Sequence, residues 1–196
     1  MIERFLTQLR ATSALEAAGV LLGLAYVVLM MRRNRLGWIA GGTSSAIYVY
    51  LSARAALPMQ SALNVYYVLM AVYGWYTWTQ MAAEGGRVQR WRVHVHLLAL
   101  LVIVLVSLLS AQWLARETHA AWPRLDSLTT WASLFATWLV ARMQLDNWLY
   151  WIVIDAVLAF LFAAQGLLFT AGLFLLYTVI AVFGYRQWLQ KYRQTP

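Results

Sequence analysis

The sequence contains no cysteine, which excludes disulfides and cysteine-based metal or redox chemistry. It is also poor in charge: 11% of its 196 residues are Asp, Glu, Lys or Arg, and seven of these are acidic. No stretch is polar enough, for long enough, to hold a water-soluble domain. The start, MIERFLTQLRATSALE, has acids ahead of its apolar run and no small-residue cleavage site, so it reads as a short tail or interfacial piece and not as a removable signal peptide. The signatures of a membrane-embedded enzyme are missing too. There is no HExxH, no close carboxylate pair within an apolar run, and no nucleophile with a plausible base. No catalytic, metal-binding or cofactor site is expected.

What is present is apolar surface. The chain is 63% hydrophobic with a mean hydropathy of +0.63, beyond what a soluble domain of this size tolerates, so it is an all-α integral membrane protein. Helices that cross a bilayer need about 20 mostly apolar residues. On that ruler seven spans are expected, at 14–31, 37–56, 59–80, 93–115, 126–143, 147–164 and 167–189, with breaks at "MRRNR", "EGGRVQRWR" and "RETHAAWPRLD". The net charge of +8 would suggest nucleic acid in a soluble protein; here it reflects topology, and no nucleic-acid partner is expected. The side of the N-terminus carries Arg4, Arg10, Arg54, Arg116 and Arg124; the other carries Arg32, Arg33, Arg35, Arg87, Arg90, Arg92, Arg142, Arg186, Lys191 and Arg193. Five against ten predicts a cytoplasmic C-terminus and an external N-terminus in the cell (inner) membrane.

The chain repeats itself at an offset of 110 residues, which lays Trp38 over Trp148, Leu51 over Leu161, Leu57 over Leu167, Tyr67 over Tyr177, Gly74 over Gly184 and Trp78 over Trp188 without a gap. "YVLMAVYGWYTW" and "YTVIAVFGYRQW" are one pattern written twice. Helices one to three then correspond to helices five to seven, and the fourth is a linker. One unpaired span between two three-helix units makes them run in the same direction, giving a 3+1+3 parallel repeat in a single membrane domain, with units at 12–81 and 124–190 and a linker helix at 90–116.

Function is expected where the halves differ. Trp148, Trp151 and Asp155 in "NWLYWIVID" share a helix face, and they overlie Trp38, Gly41 and Ser45 in "GGTSS", small residues that leave room. Asp155 lies eight positions past Asn147, about 12 Å along the axis, deep in the bilayer. A carboxylate there costs roughly 2.5–3.5 kcal/mol, so it faces the bundle or a wet cavity. The alternative is an acid bonded to neighbouring hydroxyls that holds helices together. Trp148 could be an interfacial belt residue; Trp151, a turn deeper, is harder to dismiss. An acid beside two indoles suits a flat, positively charged organic ring. On helix three Gln60, Asn64 and Tyr67 share a face, and the Asn64 amide bonds either a neighbouring helix or a ligand. Thr43, Ser44 and Ser45 are expected to bond back to their own helix. Gly19 and Gly23 form a GxxxG packing signal, and His94 and His96 are expected to be interfacial, not ligands.

The "GW" opening helix two, "YVLMAVYGWYTW", and "NWLYWIVID" with "GLLFTAGLFLLYTVIAVFGYRQW" resemble the PnuC family of bacterial B-vitamin transporters, over residues 37–80 and 147–188 in order. The resemblance implies seven transmembrane helices in the 3+1+3 arrangement, similar to the SWEET architecture, assembled as a homotrimer. It implies facilitated diffusion of nicotinamide riboside, thiamine or, in some branches, riboflavin, trapped by a cytoplasmic kinase. The family's WxxW matches Trp148 and Trp151, and its polar residue on helix six matches Asp155. Its helix-three residue, usually Gln in "YADxxLQ", falls on Asn64, where this chain reads "PMQSALN". The implied partners are a small-molecule vitamin, the lipid bilayer, further copies of the chain and the kinase. The other class left open is a membrane substrate-binding protein without flux.

Overall fold

Every apolar run of the sequence becomes a helix, because in hydrocarbon each backbone N–H and C=O must find its partner within the segment. The computed structural model describes residues 13–55, 58–83, 86–117 and 122–194. Arg4, Arg10 and the expected N-terminal tail up to residue 12 lie outside the described residues. The helices are α1 (Ala14–Met31), α2 (Leu36–Arg54), α3 (Pro58–Ala83), α4 (Val93–Glu117), α5 (Pro123–Ala141), α6 (Asn147–Ala164) and α7 (Leu168–Gln194). Each meets one of the seven expected spans. The largest shifts have local causes. Pro123 sits in the first turn of α5 and starts it early, Met143 at φ 50° stops continuation beyond Ala141, and α7 continues into its basic tail through Lys191 and Arg193.

Among the described residues four helices are long and apolar enough to cross a membrane unaided: α1, α4, α6 and α7. The other three are diluted by polar residues such as Ser44 and Ser45 on α2, Gln60 and Asn64 on α3, and Asp126, Thr129 and Ser133 on α5. Of those residues Ser44, Ser45, Asn64, Thr129 and Ser133 are buried between helices, since α1 packs on α2, α2 on α3, α3 on α5, α5 on α6, α6 on α7 and α7 back on α1. The six helices close a circuit. α4 packs along α5, outside it, with Leu97, Leu98, Leu101, Leu105 and Leu109 exposed.

Helix ends follow from local chemistry. Ser13 caps α1 by accepting the Glu16 N–H at 3.1 Å, the S-x-x-E arrangement that satisfies an otherwise orphaned donor. α1 ends with Arg33 left-handed at φ 55°, the Arg33 N–H donating to Met30 O at 2.9 Å and the Asn34 N–H to Leu29 O at 2.9 Å. α5 ends the same way, with Met143 N–H on Val140 O at 3.0 Å and Gln144 N–H on Leu139 O at 3.0 Å. The two turns are 110 positions apart.

The segment before α4 is fastened to both turns. Arg33 Nη1 donates to Gly86 O at 3.2 Å, while the Gln89 N–H donates to Met143 O at 3.0 Å and the Leu145 N–H to Gln89 O at 2.8 Å, a single parallel β-bridge. Asp146 is buried beside it and accepts from Arg90 Nε at 3.2 Å, with His96 Nε2 at 3.1 Å from its other oxygen and Tyr150 OH at 3.2 Å from His96 Nδ1. His96 is thus built into an ion-pair cluster, whereas His94 is exposed. These turns, rich in arginine, mark one end of the bundle, here the basic end.

The core at that end is tryptophan. Trp38 and Trp78 meet edge to face at 5.6 Å, Trp148 and Trp188 do so at 5.6 Å, and Trp78 and Trp188 join the pairs at 6.1 Å. Trp78 Nε1 donates to Val140 O and Trp188 Nε1 to Met30 O, each at 3.1 Å. The indoles fit because glycine lies beneath them: Gly74 faces the Trp38 ring and Gly184 the Trp148 ring, where an added Cβ would lie 2.7 Å away. Gly184→Ala is therefore expected to lower stability by about 1–3 kcal/mol. Gly172→Ala, with open space around it, serves as the neutral control. Thermal unfolding in detergent reads the difference; equal Tm values for the two variants would contradict this packing.

Candidate functional site

Above the tryptophans the circuit encloses a cavity of about 440 Å³. All six circuit helices line it and, among the described residues, α4 does not. Its size suits a small organic molecule. Gln60, Asn64, Tyr67, Trp148, Trp151 and Asp155 all lie on its wall, so one space brings together every residue expected from the sequence.

Residues 148, 151, 155, 158 and 162 form one face of α6, placing Trp148 lowest, then Trp151, Asp155, Leu158 and Phe162. Trp148 is 2% exposed and packed beneath Trp188 and Gly184, so it meets the cavity as part of the floor. Trp38 occupies the matching place in the other half, and the N–H groups of both indoles are buried with no acceptor among the described residues. Trp151 is only half-buried and leaves ring surface at the wall. Asp155 is 5% exposed, and no described residue donates a hydrogen bond to its carboxyl or forms an ion pair with it. The reading of Asp155 as a strut between helices thus finds no partner for it. Tyr67 and Tyr177 lie within electrostatic reach.

Several details differ from expectation. Ser44 does not bond back along its own helix; its Oγ donates across to Gly19 O at 2.8 Å, because Gly19 lets α1 and α2 approach closely. The room left by small residues on α2 is partly taken, since the Tyr26 ring covers Gly41 where a Cβ would stand 2.6 Å away. Gly23, the other half of the GxxxG, makes space for the Tyr177 hydroxyl. Asn64 bonds neither a neighbouring helix nor, through this contact, a ligand: its Nδ2 donates to Gln60 O at 2.9 Å, one turn back. That leaves its carbonyl oxygen at the wall without a described donor.

Sequence reasoning overlooked α5. Asp126, Thr129, Thr130, Ser133 and Thr137 recur at helical spacing and form its cavity face, a stripe legible in "DSLTTWASLFAT" had the 3.6 period been followed there. Tyr177 was also readable, as the residue 110 positions beyond Tyr67. Among the described residues no group of three or more His, Asp or Glu side chains could hold a metal ion.

If Asp155 is a binding group and not a strut, removing its charge relieves an uncompensated buried acid. Asp155→Asn is expected to raise stability in detergent by about 0.5–2 kcal/mol while weakening ligand binding. A lowered Tm would reassign the carboxyl to helix packing.

Comparison with known proteins places this architecture. The family model described as nicotinamide mononucleotide transporter matches residues 13–190. The nicotinamide riboside transporter PnuC of Escherichia coli is 24% identical over 93% of this chain and 87% of its own length. The riboflavin/roseoflavin transporter RibM of Streptomyces davaonensis is 23% identical over 91% of this chain and 86% of its own. The crystal structure of the vitamin B3 transporter PnuC superposes with a TM-score of 0.74 at 22% identity, covering 93% of this chain and 83% of that one, which is a likeness of fold.

Proposed function

Because the chain belongs to the nicotinamide mononucleotide transporter family, that of PnuC, we propose that it carries a cationic aromatic B vitamin, nicotinamide riboside, across the cell inner membrane by facilitated diffusion. The observation that carries this reading is the Asp155 carboxyl, buried, unpartnered and turned to a vitamin-sized cavity beside the Trp151 ring. An organic cation supplies what that carboxyl lacks, and an indole face adds roughly 0.5–2 kcal/mol of cation–π attraction when desolvated. Trp148 forms the floor, while Asn64, Gln60 and Tyr67 meet the polar arm. RibM is named for riboflavin, so substrate differs among relatives, and riboflavin has no permanent cation to set against Asp155. Thiamine is the second reading, since it too joins a cationic ring to a polar arm and "PMQSALN" departs from the usual helix-three pattern.

Transport proceeds by rocking of α1–α3 against α5–α7, with α4 as linker, in a 3+1+3 parallel repeat. What supports the repeat is contact geometry at one offset: the Trp38–Trp78 and Trp148–Trp188 pairs, the left-handed Arg33 and Met143, and the crossed bonds Trp78 to Val140 and Trp188 to Met30. Those crossed bonds join the units at the basic end, which the excess of arginine assigns to the cytoplasm, with the N-terminus outside. Opening inward requires both to part. Homotrimer assembly and trapping by a cytoplasmic kinase complete the proposal, on the family resemblance.

Uptake of labelled nicotinamide riboside and thiamine into proteoliposomes tests it. Asp155→Ala and Trp151→Ala are each expected to cut uptake at least about tenfold, the scale of a lost charged or cation–π contact. Undiminished uptake in both variants removes the site from the reading. Binding without flux in the wild type would replace the carrier with a capture protein.

A further inference from the structure

Among the described residues the cavity wall holds two acids and no lysine or arginine. The second acid is Asp126, in the first turn of α5. It lies about 22 Å from the basic end of its helix, counted from Ala141, whereas Asp155 lies about 12 Å from that end, counted from Asn147. The two carboxyls are thus roughly 10 Å apart along the membrane normal, with Asp126 nearer the far mouth. Like that of Asp155, the side-chain carboxyl of Asp126 receives no hydrogen bond and forms no ion pair with any described residue; only its backbone carbonyl accepts, from Thr129 and Thr130.

The groups around Asp126 offer mostly acceptors, the side-chain amides of Gln60 and Asn64 being the ones named here that also carry N–H donors. Thr129 Oγ1 spends its proton on Leu125 O at 2.9 Å and Thr130 Oγ1 on Asp126 O at 2.7 Å, so towards the cavity both hydroxyls can only accept. Across the space, near the start of α3, stand Gln60 and the carbonyl of Asn64, whose amide already donates to Gln60 O. This half of the cavity is rich in acceptors and, among the described residues, holds no basic side chain, which favours a molecule that brings donors over one that brings negative charge.

We propose that Asp126 forms a second substrate subsite, which accepts hydrogen bonds from the hydroxyl- or amino-bearing arm of a substrate whose cationic ring sits at Asp155. The inference rests on the vitamin-carrier reading and deepens it: the substrate class is an organic cation with a donor arm, and a phosphorylated form meets two acids and no described basic side chain on the wall. A carboxylate accepting hydroxyl or amino donors forms charge-assisted bonds, stronger than those between neutral groups.

Calorimetric titration of the purified full chain tests this. Nicotinamide riboside and thiamine serve as cations with donor arms, 1-methylnicotinamide as a ring with none, and nicotinamide mononucleotide as the phosphorylated form. Asp126→Asn, at unchanged Tm, is expected to weaken the armed cations about tenfold and leave 1-methylnicotinamide unaffected, whereas Asp155→Asn weakens all three. Nicotinamide mononucleotide is expected to bind worst to the wild type and to gain in Asp126→Asn. If Asp126→Asn does not yield folded protein, Asp126→Glu, which keeps the charge but displaces it by a methylene, makes the same comparison. Equal weakening of armed and armless cations, or no weakening of either, overturns the subsite. A wild type that binds none of the cations overturns the vitamin-carrier reading instead.

Discussion

Two indole N–H groups organise this molecule: that of Trp78 on α3, bonded to the Val140 carbonyl near the end of α5, and that of Trp188 on α7, shared between the Met30 and Met31 carbonyls at the end of α1. Helix C-termini leave carbonyls without intrahelical partners, and in a bilayer no water reaches the buried ones. Trp78 and Trp188 add donors to Val140 O and Met30 O, which the turn N–H groups of Met143 and Arg33 also reach, and fill the space between helices with their rings. Each bond runs from one half of the chain to the other, so neither half is complete at this end alone. The two edge-to-face tryptophan pairs, the glycines beneath them and the left-handed turns behind them follow from the need to place those donors.

Much of this was legible in the sequence because it rests on steric rules that leave a pattern. Long apolar runs specify spanning helices whatever their neighbours. The recurrence of Gly74 and Trp78 as Gly184 and Trp188 advertised a contact made twice, since only glycine tolerates an indole against its backbone. The turns were harder to read. Arg33 and Met143 take a conformation that glycine adopts most readily, so nothing in their identity announces it; they are held there by hydrogen bonds to the preceding helix.

The candidate site was legible where a residue violated its surroundings. Asp155 in an apolar run could be located by cost alone, and the periodicity of α6 carried Trp151 with it. Ser44 and Asn64 were not predictable in detail, because a hydroxyl or amide can be satisfied along its own helix or across to another, and that choice depends on how closely the next helix approaches. Gly19 decides it for Ser44. The α5 stripe escaped notice because threonine and serine are cheap in membranes, where they bond to their own backbone, so four of them draw little attention, and Asp126 stands in the first turn, where an acid is ordinary.

The strap ahead of α4 sets a mechanical limit. Gly86 is tied to the first half through Arg33, and Gln89 to the second through Met143 and Leu145, so three peptide units separate the two attachments. A chain that short, pulled straight, spans about 10 Å. While both ties hold, that reach together with the length of the Arg33 side chain limits how far the two turns can separate at this end.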